Sequence, residues 1–220
     1  RILEEGHVTP DALVGSWAGA FGHTQFMPST FMRIAVDFDG DGKRDLIGNI
    51  PDALASTANY LQKSGWKTGQ PWGFEVILPA GFHATESGRK NKRPMQHWIA
   101  QGLRKADGGA LSAQAGAAGL LLPAGTEGPA FLVFANFDAI YAYNAAESYA
   151  LAIAHLSDRL RGGTPFVRAW PTDDPGISRA ERREVQQMLI ARGYDIGEAD
   201  GIIGSASRKA IEEEQRRLGL

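Results

Sequence analysis

The sequence predicts a mainly helical chain of the α+β class, and three observations carry that reading. Apolar residues recur at helical spacing in several stretches. Two short apolar runs, Leu120–Leu122 and Phe131–Phe134, flank a turn rich in proline and glycine. A segment of proline, glycine, threonine and aspartate near residues 163–175 then separates a long first part from a short, charged, helical tail.

Taken in order, Arg1–Glu5 reads as the middle of a helix, which leads to the expectation of a larger precursor. Pro28 suits a first helical position, and Met27, Phe31 and Ile34 share one face of the helix that follows. Pro51–Ser64 is a second helix, with Asn49 as its cap, Leu54, Ala58 and Leu61 as its buried stripe, and Gly65 as its stop. Trp72–Leu78 reads as a strand, and Met95–Leu103 as a short helix. Residues 141–149 read as the end of a strand entering a helix, whose Tyr149, Ile153, Leu156 and Leu160 form an apolar stripe. Ser178 and Glu181 have capping-box spacing at the start of the tail.

Composition narrows the function. The 220 residues are 43% apolar, enough for a domain core plus a small module. A net charge of −2 gives no bulk attraction to nucleic acid or anionic membrane. The absence of cysteine excludes disulfides, thiol catalysis and thiolate-bound zinc. No apolar run has the length of a membrane-spanning helix.

Two stretches carry candidate chemistry from residue type alone. In Asp37-Phe-Asp-Gly-Asp-Gly-Lys-Arg-Asp45, alternating carboxylates repel one another unless a hard cation neutralises them. Oxygen ligands at positions 1, 3, 5 and 7 of a tight loop suit calcium, with Lys43 offering its carbonyl. Position 12 is Gly48 where an EF-hand has a bidentate glutamate, so Asp45 or Asp52 has to complete the shell. An ordinary acidic turn is the other reading. In Tyr141–Tyr149, tyrosine and asparagine together suit a sugar site, with core packing as the alternative. The basic run Arg89–Arg93 reads as a solvated loop, and contact with an anionic polymer is the lesser alternative.

The stretch Gly15-Ser-Trp-Ala-Gly-Ala-Phe-Gly-His-Thr-Gln-Phe-Met-Pro-Ser-Thr30 resembles the membrane-bound lytic transglycosylase B family of bacterial peptidoglycan-cleaving enzymes. The resemblance implies a lysozyme-like domain over residues 1–162, with its N-terminal part missing and a small antiparallel sheet. It also implies calcium as a structural ion held by Asp37, Asp39, Asp41, Lys43 and Asp52. Ser16, Gln25, Tyr143, Asn144 and Tyr149 fall on the family's cleft positions, Ser16 near the catalytic carboxylate and Gln25 on the glycan. The family's reaction cleaves the bond between N-acetylmuramic acid and N-acetylglucosamine without water, giving 1,6-anhydro ends. One glutamic acid serves as acid and then base, which needs an apolar setting. In the family that residue precedes the glycine stretch. Glu4, Glu5, Glu75 and Glu147 lack such surroundings, so the catalytic group is expected outside this chain.

The tail is similar to the small three-helix peptidoglycan-binding module, through Val185-Gln-Gln-Met-Leu189, Gly193-Tyr194 and Asp200-Gly-Ile-Ile-Gly204. Glu214 stands where that module usually has an aromatic residue, and the last helix is expected to be cut off after Leu220. The implied organisation is a transglycosylase domain at 1–162, a linker at 163–175 and a truncated module at 176–220. The implied partner is the peptidoglycan glycan strand, and the implied location is the bacterial periplasm or cell envelope. A calcium-stabilised wall-binding protein without catalysis is the competing reading.

Overall fold

The computed structural model describes residues 1–172 and 176–219. Asp173, Asp174 and Pro175 of the expected linker, and Leu220, lie outside the described residues. The chain forms two compact units, Arg1–Trp170 and Pro171–Leu220.

The first unit opens in turns, not in the helix expected at Arg1–Glu5. Helix α1 (Pro28–Ile34) starts on its proline, whose missing N–H leaves nothing unpaired at a helix start. Phe31 and Ile34 are buried, but Met27 is the extended cap residue and does not join their face. Helix α2 (Ile50–Lys63) is capped by Asn49, whose side chain accepts from the Asp52 N–H. Its buried residues are Asp52, Ala53 and Ser56, and Leu54 of the expected stripe is 66% exposed. Polar groups occupy this inward face because they satisfy the preceding loop. Asp52 accepts from the Phe38 and Asp45 N–H groups, and Ser56 Oγ accepts from Val36 N–H.

A five-stranded antiparallel sheet follows, in the order β2-β4-β5-β1-β3. Its strands are β1 (Gly73–Ile77), β2 (Arg93–Pro94), β3 (Arg104–Lys105), β4 (Ala117–Leu121) and β5 (Ala130–Val133). Leu132 of β5 stands opposite both Phe74 and Leu120, so the strand is paired on both edges. Strand alternation divides the core into two layers. Val76, Leu120 and Leu132 pack with Met95 and Trp98 of α3 (Met95–Ala100). Trp72, Phe131 and Val133 pack with α4 (Ala135–Tyr143) and α5 (Glu147–Leu160).

Residues 141–149 are therefore the end of one helix and the start of the next, where a strand end was expected. Asn144 is the extended cap residue of α4. The inward face of α5 is Ala150, Leu151 and Ala154, while Ile153, Leu156 and Leu160 face outward. Small alanines let this helix approach α4 and the aromatic layer closely. The basic run also departs from its expectation, because the Arg89 side chain is only 10% exposed.

In the second unit the described residues hold two of the three helices the resemblance implies, α6 (Arg179–Ala191) and α7 (Ser205–Leu218). Ser178 and Glu181 form both bonds of a capping box. Buried Gln186 orders the Asp200–Gly204 turn, accepting from Gly201 N–H and donating to the Ile202 carbonyl. Glu214 pairs with Arg217 and Arg192 and accepts from the Tyr194 hydroxyl. Those bonds, the one to Arg217 foremost, hold its carboxyl down at about 2. A depressed carboxylate stabilises the fold above its ordinary range, and that contribution disappears as pH falls towards the folded value. Glu214→Gln should lower the denaturation midpoint of this unit at pH 7, and the gap to wild type should close between about pH 4.5 and 2. Urea titrations followed by unit-specific NMR signals check it; a gap independent of pH would refute the ion-pair account.

Candidate functional site

The glycine stretch folds back on itself through bridges between Gly15 and Phe21 and between Phe21 and Phe26. Gly22 is required at its turn: φ is +67°, and a Cβ there would stand 2.5 Å from the Leu46 carbonyl oxygen. His23 N–H donates to that same carbonyl. Gln25 follows with φ of 51°, the one positive value among the described non-glycine residues. Left-handed backbone at a non-glycine residue is strained, and such strain concentrates at functional sites. The Gln25 amide donates to the Gly22 carbonyl at 2.9 Å, which leaves its Oε1 free as an acceptor.

Helix α4 brings the second half of the site. The Tyr143 hydroxyl donates to the Thr24 carbonyl at 2.5 Å, joining residues 119 apart. Tyr60 of α2 donates to the Ala142 carbonyl, and the rings of Phe26, Tyr60 and Tyr143 pack against one another. Burial, with smaller effects of neighbouring Tyr149 and Tyr60, pushes the Tyr143 phenol up, so it stays a donor at neutral pH. Thr24, Tyr143 and Tyr149 are among the walls of a cleft of about 300 Å³. Leu61, Ile140 and Ile153 are its apolar lining, and His23, Thr24, Gln25, Thr57, Tyr143 and Tyr149 are its polar lining.

Of the residues singled out from sequence, the structure brings Gln25, Tyr143 and Tyr149 into one cleft. Asn144 sits beside it as an exposed cap and does not line it. Ser16 is not in the lining either; its Oγ accepts from Ala20 N–H in a turn whose Trp17 is fully exposed. His23 and Thr24 were not identified, although they lie inside the same glycine stretch. Leu61 packs against the core as its stripe implies and also lines the cleft, whereas Ile153 of the α5 stripe turns away from the core to join the cleft's apolar side.

No carboxylate lines this cleft among the described residues. Glu147 lies 3.6 Å from the Arg89 guanidinium, in charged surroundings unlike those a general acid needs. Glu75 accepts from the Val167 and Arg168 N–H groups. Beside that bond pair lies a second, open hollow of about 370 Å³, bordered by Glu75, His155 and Phe166. Glu5 pairs with Arg1 and Arg44 at the surface. The arrangement can bind and orient a ligand with polar edges and an apolar face.

In the acidic loop, Asp37, Asp39 and Asp52 place oxygens within 4.8 Å of one another. Asp41 stands outside that group, with its Oδ1 accepting from Lys43 N–H. Asp45 is engaged by the Ile47 and Gly48 N–H groups. Three carboxylates converging on an all-oxygen site, one of them fully buried, suit a hard cation such as calcium.

Comparison with known proteins identifies the family. The model of the transglycosylase SLT domain matches residues 1–158, and that of a putative peptidoglycan binding domain matches residues 178–220. Membrane-bound lytic murein transglycosylase B of Escherichia coli (strain K12) is 36% identical over 149 residues, covering 67% of this chain and 39% of the relative. SltB3 from Pseudomonas aeruginosa, solved in complex with NAG-anhNAM-pentapeptide, is 52% identical and superposes with a TM-score of 0.91. That match covers 99% of this chain and 59% of SltB3. The Escherichia coli lytic transglycosylase SLT35 in complex with calcium is 34% identical, with a TM-score of 0.57 over 68% of this chain and 46% of its own. The chain thus spans between 39% and 59% of the length of these relatives, and it belongs to the transglycosylase SLT domain family.

Proposed function

We propose that this chain is the glycan-holding part of a lytic murein transglycosylase. The parent enzyme cleaves the N-acetylmuramic acid to N-acetylglucosamine bond of peptidoglycan without water, forming 1,6-anhydro ends. The Tyr143–Thr24 hydrogen bond carries this reading, because it closes two distant segments into one preformed cleft. Within that cleft, Tyr149 and Ile153 offer flat apolar surface to a pyranose, and the free Gln25 Oε1 accepts from a hydroxyl or acetamido N–H. Ser16 and Asn144 act at the margins of the substrate path. The complexes of SltB3 with peptidoglycan fragments support the substrate class.

The general acid of the parent lies outside this chain in this reading, since the cleft lining holds none. The acidic loop holds calcium through Asp37, Asp39 and Asp52, with Asp41 and Lys43 at its border, and the ion fixes the junction of α1 with α2. The complex of SLT35 with calcium supports that assignment. Residues 1–162 form the catalytic-domain part and 176–220 the wall-binding module; of the linker at 163–175, residues up to Trp170 pack within the first unit. The protein works in the bacterial periplasm or cell envelope; among the described residues no helix is long and apolar enough to cross a membrane.

A soluble tetrasaccharide of alternating N-acetylglucosamine and N-acetylmuramic acid tests the cleft by calorimetry. Tyr149→Ala should weaken binding at least about tenfold, because burying an aromatic side chain is worth about 1.5–3 kcal/mol. Its melting temperature should stay close to wild type, since Tyr149 is only half-buried. Equal affinity in the variant would overturn the reading. A second reading, a wall-binding protein without catalysis, is favoured by the absence of a carboxylate from the described cleft lining.

A further inference from the structure

Arg89, in the loop before β2, reaches the α4–α5 corner beside the cleft. Its backbone lies directly on β4: Gly88 N–H donates to the Leu120 carbonyl, and a Cβ on Gly119 would stand 2.6 Å from the Arg89 carbonyl oxygen. Lys92 ties the same loop down, donating to the Arg89 and Val133 carbonyls and pairing with Asp138 at 2.9 Å. From this fixed seat the guanidinium extends to the α4–α5 corner. It donates to Asp138 at 2.6 Å and lies 3.7 Å over the Tyr141 ring, both on α4. Its Nε faces Glu147 in the first turn of α5, at 3.6 Å.

That last contact is unfinished. The Arg89 Nε–H is buried and has no hydrogen-bond partner, and a charged N–H···O bond closes at about 2.7–2.9 Å. A buried donor left without a partner is costly, so any state that closes this gap is favoured. Glu147 is half exposed and free to move by that fraction of an ångström. It sits two residues before Tyr149, and Tyr141 sits two before Tyr143. The clamp therefore grips both elements that present the cleft tyrosines.

We propose that Arg89 is a positioning residue for the glycan cleft, whose Nε–H closes onto Glu147 when a glycan seats against Tyr143 and Tyr149. This rests on the reading of that cleft as a glycan site. A ligand that orders Tyr149 draws the first turn of α5 inward, and the new charged hydrogen bond then stabilises the occupied state. Arg89 touches no sugar in this arrangement; it acts through the two helices it joins.

The test uses the full chain, the soluble tetrasaccharide as probe, calorimetry, and the NMR signal of the Arg89 Nε–H. In wild type, saturation with the tetrasaccharide should move that signal downfield, as formation of a charged hydrogen bond requires. Glu147→Ala, which removes the acceptor, should abolish the shift and raise Kd about tenfold, and Glu147→Gln, which keeps a neutral acceptor, should reduce both effects. Arg89→Lys should raise Kd by a similar factor to Glu147→Ala, and the double variant of these two by no more than either single one. A merely structural clamp predicts altered melting with unchanged Kd and no shift of the Nε–H signal, and that result overturns the proposal. Failure of wild type to bind the tetrasaccharide at all would remove the glycan reading and this proposal with it. Binding that persists without any response of Arg89 would remove the proposal alone.

Discussion

Incubated with purified sacculi, this chain should sediment with the insoluble wall and release no detectable 1,6-anhydromuropeptides. Binding needs only the cleft and the module, whereas the reaction needs a proton delivered to the glycosidic oxygen and one later removed from the C6 hydroxyl. Tyr143, held on the Thr24 carbonyl with its phenol pushed up, is a hydrogen-bond donor and far too weak an acid for that step. Glu147 faces Arg89, and Glu75 is taken by two backbone N–H groups. General acid–base catalysis is typically worth about 10²–10⁴-fold, and here one residue would serve both steps, so its absence should cost at least that much. Chromatography of the soluble fraction after long incubation checks the outcome. Anhydro products from the purified chain would show that a described residue supplies the proton, and Glu147→Gln would be the first variant to assay. Soluble products that appear only when a segment carrying the acid is added would support the fragment reading over the non-catalytic one. Failure to sediment would count against the module at 176–220.

The features legible in the sequence were those set by residues close together in the chain. Asn49 caps α2 and Ser178 boxes with Glu181 because each bond spans three residues. The amphipathic stripes differ from the sequence pattern because most of the large apolar residues of α2 and α5 are not the buried ones. On α2 the inward positions are Asp52, Ala53 and Ser56, which serve the acidic loop, and on α5 they include Ala150 and Ala154, which allow close approach. Ile153 is left for the cleft, and Leu61 serves both the core and the cleft. Arg89 was indistinguishable from its basic neighbours, since the partner that turns it inward, Asp138, lies 49 residues away. The pairing of Gln25 with Tyr143 followed from family resemblance; nothing local in either stretch points to the other. Resemblance likewise added Ser16 and Asn144, which the structure leaves outside the cleft lining.

Calcium should raise the melting temperature of the first unit, and chelation should reverse the gain. A site present only in the folded state adds about 2.7 kcal/mol when free calcium is 100-fold above its dissociation constant. For a unit of this size that corresponds to roughly 5–10 °C. The expectation follows from charge: the Asp37, Asp39 and Asp52 oxygens crowd within 4.8 Å, and like charges at that separation oppose folding unless a cation sits among them. The choice of variant matters. Asp52 is fully buried and accepts from the Phe38 and Asp45 N–H groups, so its replacement would harm the fold with or without metal. Asp39 is exposed, and its carboxylate accepts only from the Asn49 amide and, at 3.3 Å, from the Asp41 N–H. Asp39→Asn should therefore abolish the response to chelator while leaving the metal-free melting temperature equal to wild type or slightly above it. Asp41→Asn is the comparison, because Asp41 stands outside the converging three; the sequence spacing alone would give it the same effect. Scanning calorimetry of metal-stripped protein, with and without added calcium, measures both. An identical melting curve for wild type in chelator and in millimolar calcium would end the metal assignment and leave the loop as an acidic turn held by its own backbone hydrogen bonds.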